Sequence, residues 1–198
     1  MNHEVLEIVN ETKLLGTVLT SDLKWDKNTE NTVKKAYAKM EILRKMSGFG
    51  APIGDLKKIY LTYIRTHCEQ SSTVWHSGLT ELNKSDLERV QKVALKIILK
   101  DKYINYENAL MVLDLESLEQ RRNELALTFA KKCLSNSRMK HLFKPNKSTH
   151  IMKPRNHEIF NVIHANTERL KNSPVVYMQN ILNYEARKKN EINSLWNN

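Results

Sequence analysis

From Asp26 onward, apolar residues return every three or four positions, a spacing that only an amphipathic helix can turn into one continuous buried face. Val33, Ala36, Tyr37, Met40 and Leu43 make the first such face, and Gly48, Gly50 and Pro52 supply the stop. A second helix is expected from about Gly54 through Leu56, Ile59, Tyr60, Tyr63 and Ile64, weakening in the Ser71, Ser72, Thr73 cluster before Trp75. Between Lys84 and Lys100 the face is Leu87, Val90, Ala94, Ile97 and Ile98. Shorter helices are predicted at Tyr106 to Leu113 and, after the capping pair Ser117 and Gln120, at Leu118 to Leu134. Ser173 and Pro174 have the chemistry of a helix start, with Val176, Met178, Ile181 and Leu182 following.

The first 25 residues obey a different rule. Val5, Ile8 and Val9, then Leu14, Leu15, Val18 and Leu19, form two short apolar runs, which predicts a β-hairpin with its polar turn at Asn10, Glu11 and Thr12. Gly16 then falls inside the second strand, where glycine marks a bulge or a close backbone approach. An isolated hairpin is marginal, so it is expected at the edge of something larger. The expected fold is mainly α: a hairpin over 1–25, a helical bundle over 26–134, a basic linker over 135–156 and a helical tail over 157–198. No internal repeat is evident.

The charge balance narrows the partners. Thirty-two Lys and Arg stand against 22 Asp and Glu, a formal net charge of +10, which favours phosphate-bearing partners and resists self-association. From Lys131 to Arg155 there are eight basic residues (Lys131, Lys132, Arg138, Lys140, Lys144, Lys147, Lys153, Arg155) and no acidic one, so this stretch is read as a positive linker. Arg89, Lys92, Lys96 and Lys100 fall within roughly an 80° sector opposite the apolar face of their helix, a stripe about 16 Å long that could follow a phosphate backbone. RNA or DNA is therefore the expected partner, bound weakly, without sequence preference and with strong salt dependence.

Other chemistries find little support. Two-metal phosphoryl transfer needs carboxylates that clamp ions about 4 Å apart, and Asp22, Asp26, Asp55, Asp86, Asp101 and Asp114 are scattered, mostly where helix caps belong. His157 and His164 lie one heptad apart, but the tight spacings of zinc sites do not occur, so no metal and no cofactor is expected. A Cys68–His67 nucleophile pair fails because neighbouring helical residues point about 100° apart; Cys68 is expected in the core. The Gly48, Gly50, Gly54 cluster lacks the Lys-Ser/Thr ending of a phosphate cradle. Two cysteines cannot make a disulfide framework, no run is apolar enough to span a membrane, and no leader pattern follows Met1, which together predict a cytoplasmic or nuclear setting. Arg121 and Arg122 fall on the apolar side of their helix beside Leu118, Leu125 and Phe129, so a structural ion pair is expected, with Glu69 as the partner acid.

Several phrases, in order, resemble a family. Lys13-Leu-Leu-Gly-Thr-Val-Leu-Thr-Ser-Asp-Leu-Lys-Trp25 resembles the segment just after the catalytic aspartates in reverse transcriptases of non-LTR, LINE-type retrotransposons. Val33-Lys-Lys-Ala36, Leu43-Arg44, Tyr60, Ile64-Arg65, Glu69 to Trp75 with His76-Ser-Gly-Leu-Thr80, Leu87 to Ile98, Leu115 to Leu118, Arg121-Arg122, Phe129 to Cys133, Arg169, Ser173 and Ile181-Leu-Asn183 continue the likeness over nearly the whole chain. Thr66 follows Arg65 where the family favours proline, and Gln70 replaces its usual aromatic. The resemblance implies the end of a palm with its primer-grip hairpin, a helical thumb and the tail that follows. Leu15 and Gly16 would then belong to the primer grip, and Lys34, Lys35, Arg89, Lys92 and Lys96 to a thumb that steadies a template–primer duplex. The family's catalytic aspartates belong upstream of the hairpin, so catalysis by this chain alone is not expected; the missing palm and fingers become a second expected partner. Two alternatives stand beside a truncated nucleic-acid-binding protein: a helical protein–protein interaction fragment, domesticated or orphan, and a fragment of an active RNA-directed DNA polymerase polyprotein.

Overall fold

The computed structural model describes residues 8–145 and 159–196, with side chains through 188. The chain is mainly α, 69% helical, with an antiparallel two-stranded hairpin ahead of a helical bundle. It divides into two compact units, one of Met1–Ser72 with Leu79–Arg121, the other of Thr73–Gly78 with Arg122–Asn198.

In the first unit, β1 (Glu11–Leu14) pairs with β2 (Thr17–Thr20) in the register Leu14 opposite Thr17 and Glu11 opposite Thr20. The turn is therefore Leu15–Gly16, not the polar Asn10–Thr12 stretch the alternation suggested. Both turn residues have positive φ, 49° and 88°, the mirror-image geometry that matches strand twist and that glycine adopts at no steric cost. The apolar run misled because Leu14 and Leu15 are exposed here rather than inward-facing.

Helix α1 (Asp26–Gly48) buries Ala36, Met40 and Leu43. Next comes α2 (Ile53–Ile59), which passes without a break through a π-helical turn (Tyr60–Ile64) into α3 (Arg65–Glu69). Leu56, Tyr60, Ile64 and Cys68 are all at most 1% exposed although spaced by four. Four-residue steps drift by about 40° each around an ideal α-helix; the wider π turn cancels part of that drift and keeps all four side chains on the core. The helix continues smoothly at Thr66, whose hydroxyl donates to the Thr62 carbonyl at 3.0 Å.

Helix α5 (Glu81–Leu99), capped by Thr80, runs parallel to α1. At one end Asn83 Nδ2 donates to Asp26 at 2.8 Å, and at the other the Ser47 hydroxyl donates to the Ile97 carbonyl at 3.0 Å. Its buried side carries Leu87, Val90, Ala94, Leu95, Ile98, Leu99 and two polar residues, Asn83 and Gln91. The Gln91 amide accepts from Tyr60 Oη and donates to Tyr106 Oη (2.9 Å) and to the Glu116 carbonyl (2.8 Å). Tyr106 Oη in turn donates to Glu88, which also accepts Leu118 N–H at 3.1 Å. Burial first, and for Tyr106 then the Glu88 carboxylate, push both phenols upward, so each stays a neutral donor. One glutamine thus ties α5 to the π turn, to α6 (Tyr106–Val112) and to the loop before α7 (Leu118–Ser135). Ser117 and Gln120 form the reciprocal capping box expected at the start of α7, each accepting the other's backbone N–H at 3.1 Å.

The second unit holds most of α4 (Ser72–Trp75), most of α7, α8 (Glu168–Lys171) and α9 (Pro174–Trp196). Its core is Ala130, Cys133, Phe143, Met178 and Leu182. Two amides four residues apart on α9 fasten extended chain: Gln179 bonds the Leu142 carbonyl (2.8 Å) and Ile163 N–H (3.1 Å), and Asn183 bonds both backbone groups of Phe160. The segment 146–158, with half of the sequence read as a linker and His157, lies outside the described residues, as does Val5.

Candidate nucleic-acid interface

The cations Arg89, Lys92 and Lys96 on α5 and Lys100 just after it are all exposed, but they are held differently. Lys92 Nζ lies 5.1 Å over the Tyr106 ring and Lys96 Nζ 5.4 Å over the Tyr103 ring. Among the described residues neither has a carboxylate partner, and the rings limit their swing. Arg89 reaches Asp86 at 3.4 Å, with its side chain 64% exposed, a pairing that water and salt readily loosen. Lys100 departs from the stripe. Its backbone has φ 49°, and its ammonium donates to the Ser47 carbonyl at 2.6 Å, closing the C-terminal end of α1. Helical projection placed Lys100 with its neighbours because it assumes helix through residue 100, and α5 ends at Leu99.

A second basic group faces α3. Lys35 on α1, half-buried, lies with Lys39 near enough to His67 that, after burial itself, the two ammonium groups hold its imidazole below the usual range. Lys39 and His67 escaped the sequence reading; Lys39 could have been found four residues after Lys35, whereas the packing of α3 on this face is a tertiary fact. Lys34 instead lies 2.6 Å from Glu30, with both side chains largely exposed. It lines a groove with Lys13, Lys27, Glu11, Glu30 and Asn31 between the hairpin and α1.

At the hairpin tip Leu15 is 85% exposed. Gln70 Nε2 donates to the Leu15 carbonyl at 3.2 Å and would lie 2.5 Å from a Cβ at Gly16. The glycine therefore serves the turn and the close approach of Gln70, the residue standing where the resembling family has an aromatic.

Glu69 lies 3.2 Å from Arg121 Nε, which donates to it, and 3.1 Å from Arg65 Nε, which is poorly aligned for a bond and contributes charge. Arg65 was not expected here. Arg122 is fully buried in the other unit, where its Nε donates to His76 Nδ1 at 3.2 Å and its guanidinium lies 5.9 Å from the Trp75 ring. Accepting at Nδ1 fixes the His76 proton on Nε2, which faces Asn123 Oδ1 at 2.7 Å. Tyr177 Oη donates to the same oxygen. Successive helical positions diverge by about 100°, so Arg121 meets Glu69 within the first unit and Arg122 meets His76 within the second.

Lys131 and Lys132 lie near the C-terminal end of α7, Lys132 in its last turn and Lys131 3.3 Å from Glu185. Arg138 and Lys140 are exposed in the turn and short 3-10 segment that follow. The aspartates have local employment: Asp22 accepts from Thr20 (2.6 Å) and Lys24 N–H (3.2 Å), Asp26 and Asp55 stand in first turns, and Asp86 meets Arg89. Among the described residues no group of three or more His, Cys, Asp or Glu could hold a metal ion, and no helix is long and apolar enough to cross a membrane. No protein-family model, no curated protein and no solved structure matches the chain.

Proposed function

We propose that the first unit is a thumb-like module that steadies a template–primer duplex through its phosphates, in a protein derived from a non-LTR reverse transcriptase and without catalysis of its own. The observation that carries this reading is the pair Lys92 and Lys96, exposed, unneutralised by carboxylates and restrained over tyrosine rings. With Arg89 they present three phosphate contacts along one helix face, while Lys35, Lys39 and His67 add a second basic group on α1 and α3. Such contacts position nucleic acid without reading sequence. The hairpin tip of Leu15 and Gly16 takes the primer-grip role in this reading.

The test is fluorescence anisotropy with a labelled primer–template duplex. Three contacts at about 0.9 per phosphate in the log–log slope lower affinity about 40-fold between roughly 50 and 200 mM salt. No binding at the lower salt removes the proposal. A protein-binding role is favoured instead by the exposed apolar row Ile42, Met46 and Phe49 on and just after α1 (41, 38 and 85% exposed); a defined protein partner that Phe49→Ser releases would establish it. Primer extension with the full chain and Mg²⁺ is expected to yield no product, and any template-directed product would make the chain an enzyme in its own right.

A further inference from the structure

Among the described residues the hairpin has one protected edge and one open edge. Hydrogen-bonded and non-hydrogen-bonded pairs alternate along an antiparallel ladder. Ser21 N–H bonds the Asn10 carbonyl at 2.8 Å, so with the observed register Thr12/Leu19 and Leu14/Thr17 are the other bonded pairs. The backbone groups of Val18 therefore point away from β1, and Val18 N–H is met by the buried Asn28 side chain of α1 at 3.1 Å. On the opposite edge the outward groups belong to Glu11 and Lys13, and every residue of β1 is exposed.

We propose that this open edge pairs with the same edge of a second copy of the chain, antiparallel about a two-fold axis at Thr12. Only one register suits it. With Thr12 opposite Thr12, Glu11 of one copy, which also meets Lys27 of its own α1, stands opposite Lys13 of the other and the reverse, giving two symmetric ion pairs across a bonded ladder. A slip by two residues either way sets Glu11 against Glu11 or Lys13 against Lys13, and a parallel in-register arrangement does both. The favoured register also carries Val9 (50% exposed) toward Leu15 (85% exposed) of the second copy. A lysine on an edge strand ordinarily discourages pairing; Glu11 two positions earlier turns that deterrent into a choice of register. The contact is small and is opposed by the net charge of +10 on each copy, so weak association is expected, strengthened as salt screens the repulsion.

The experiment uses the full chain, sedimentation equilibrium and one introduced thiol. Thr12→Cys places two cysteines at a non-hydrogen-bonded pair about 4.5 Å apart between Cα atoms, within disulfide reach; the native Cys68 and Cys133 are buried. Mild oxidation is expected to give a linked dimer well above that of Thr128→Cys, an exposed position on α7 that reports random collision. Lys13→Pro removes an outward N–H together with the ammonium of the ion pair, and Lys13→Glu opposes two glutamates; each should weaken association at least tenfold at about 0.3 M salt, where the Debye length is short. The exchange Glu11→Lys with Lys13→Glu should restore part of it, the lost Glu11–Lys27 pair within each copy limiting the recovery. Sedimentation as a monomer up to about 200 µM, with no excess linkage of Thr12→Cys, overturns the proposal, as does a dimer indifferent to both Lys13 variants. Duplex binding weakens with salt whereas this pairing persists, so the two failures are distinguishable.

Discussion

Removing Glu69 should cost more than its partly exposed position suggests, because two guanidinium groups lean on one carboxylate. Its side chain is 17% exposed and its Oε1 lies 3.2 Å from Arg121 Nε and 3.1 Å from Arg65 Nε. Two unit charges about 4 Å apart attract by about 4 kcal/mol at an effective dielectric constant near 20. Desolvation takes back a large part of that, and Arg121, 35% exposed, keeps some hydration. A net coupling of about 1 to 2 kcal/mol is expected for Glu69 with Arg121. The assay is a double-mutant cycle by urea denaturation with Glu69→Ala, Arg121→Ala and the double variant. Glu69→Ala should be the worse single change, by about 2 to 3 kcal/mol, since it leaves two arginines facing each other. The charge exchange Glu69→Arg with Arg121→Glu should recover part of what each single reversal loses. Additivity within about 0.5 kcal/mol would refute the coupling.

Gly16→Ala should destabilise the first unit by about 1 to 2 kcal/mol, because φ is +88° and the new Cβ meets Gln70; adding Gln70→Ala should lower that cost, as measured in the same denaturation. The Thr20 hydroxyl, then Lys24 N–H, hold the Asp22 carboxyl below its ordinary 3.8. Stabilisation from this group is present above that pH and disappears as pH falls through the lowered value; by carboxyl NMR, Thr20→Val should move the titration up toward 3.8. His67 should titrate below the usual histidine range, and phosphates docking on Lys35 and Lys39 should raise it, an upward shift visible in imidazole NMR during duplex titration. Burial raises the Cys133 thiol, so alkylation at pH 8 should be slow until denaturant is added.

The helices were legible because each of the long ones carries its own punctuation. Gly50, at φ 79°, closes α1, Ser117 and Gln120 open α7, and Ser173–Pro174 precede α9, all local chemistry that needs no partner. The hairpin was placed early by several residues because an exposed Leu14–Leu15 pair imitates a strand core, while the positive φ that makes the turn is decided by backbone sterics at Gly16. In the phrase Leu87 to Ile98 the apolar positions announced a buried face, but Gln91 and Glu88 gave no sign that they form a polar hub; their partners Tyr60, Tyr106 and Leu118 come from other elements. The same limit applies to the basic residues. Spacing showed that Arg89, Lys92 and Lys96 share a side of α5. It could not show that tyrosines would hold two of them or that Lys100 would turn back to α1.

The most direct test compares salt slopes for duplex binding by the unaltered chain, by Lys92→Ala with Lys96→Ala, and by Lys100→Ala. If α5 grips phosphates, the double variant lowers the slope by about 1.8 for DNA while Lys100→Ala, already committed to the Ser47 carbonyl, leaves it unchanged. Equal slopes for the unaltered chain and the double variant would contradict the account.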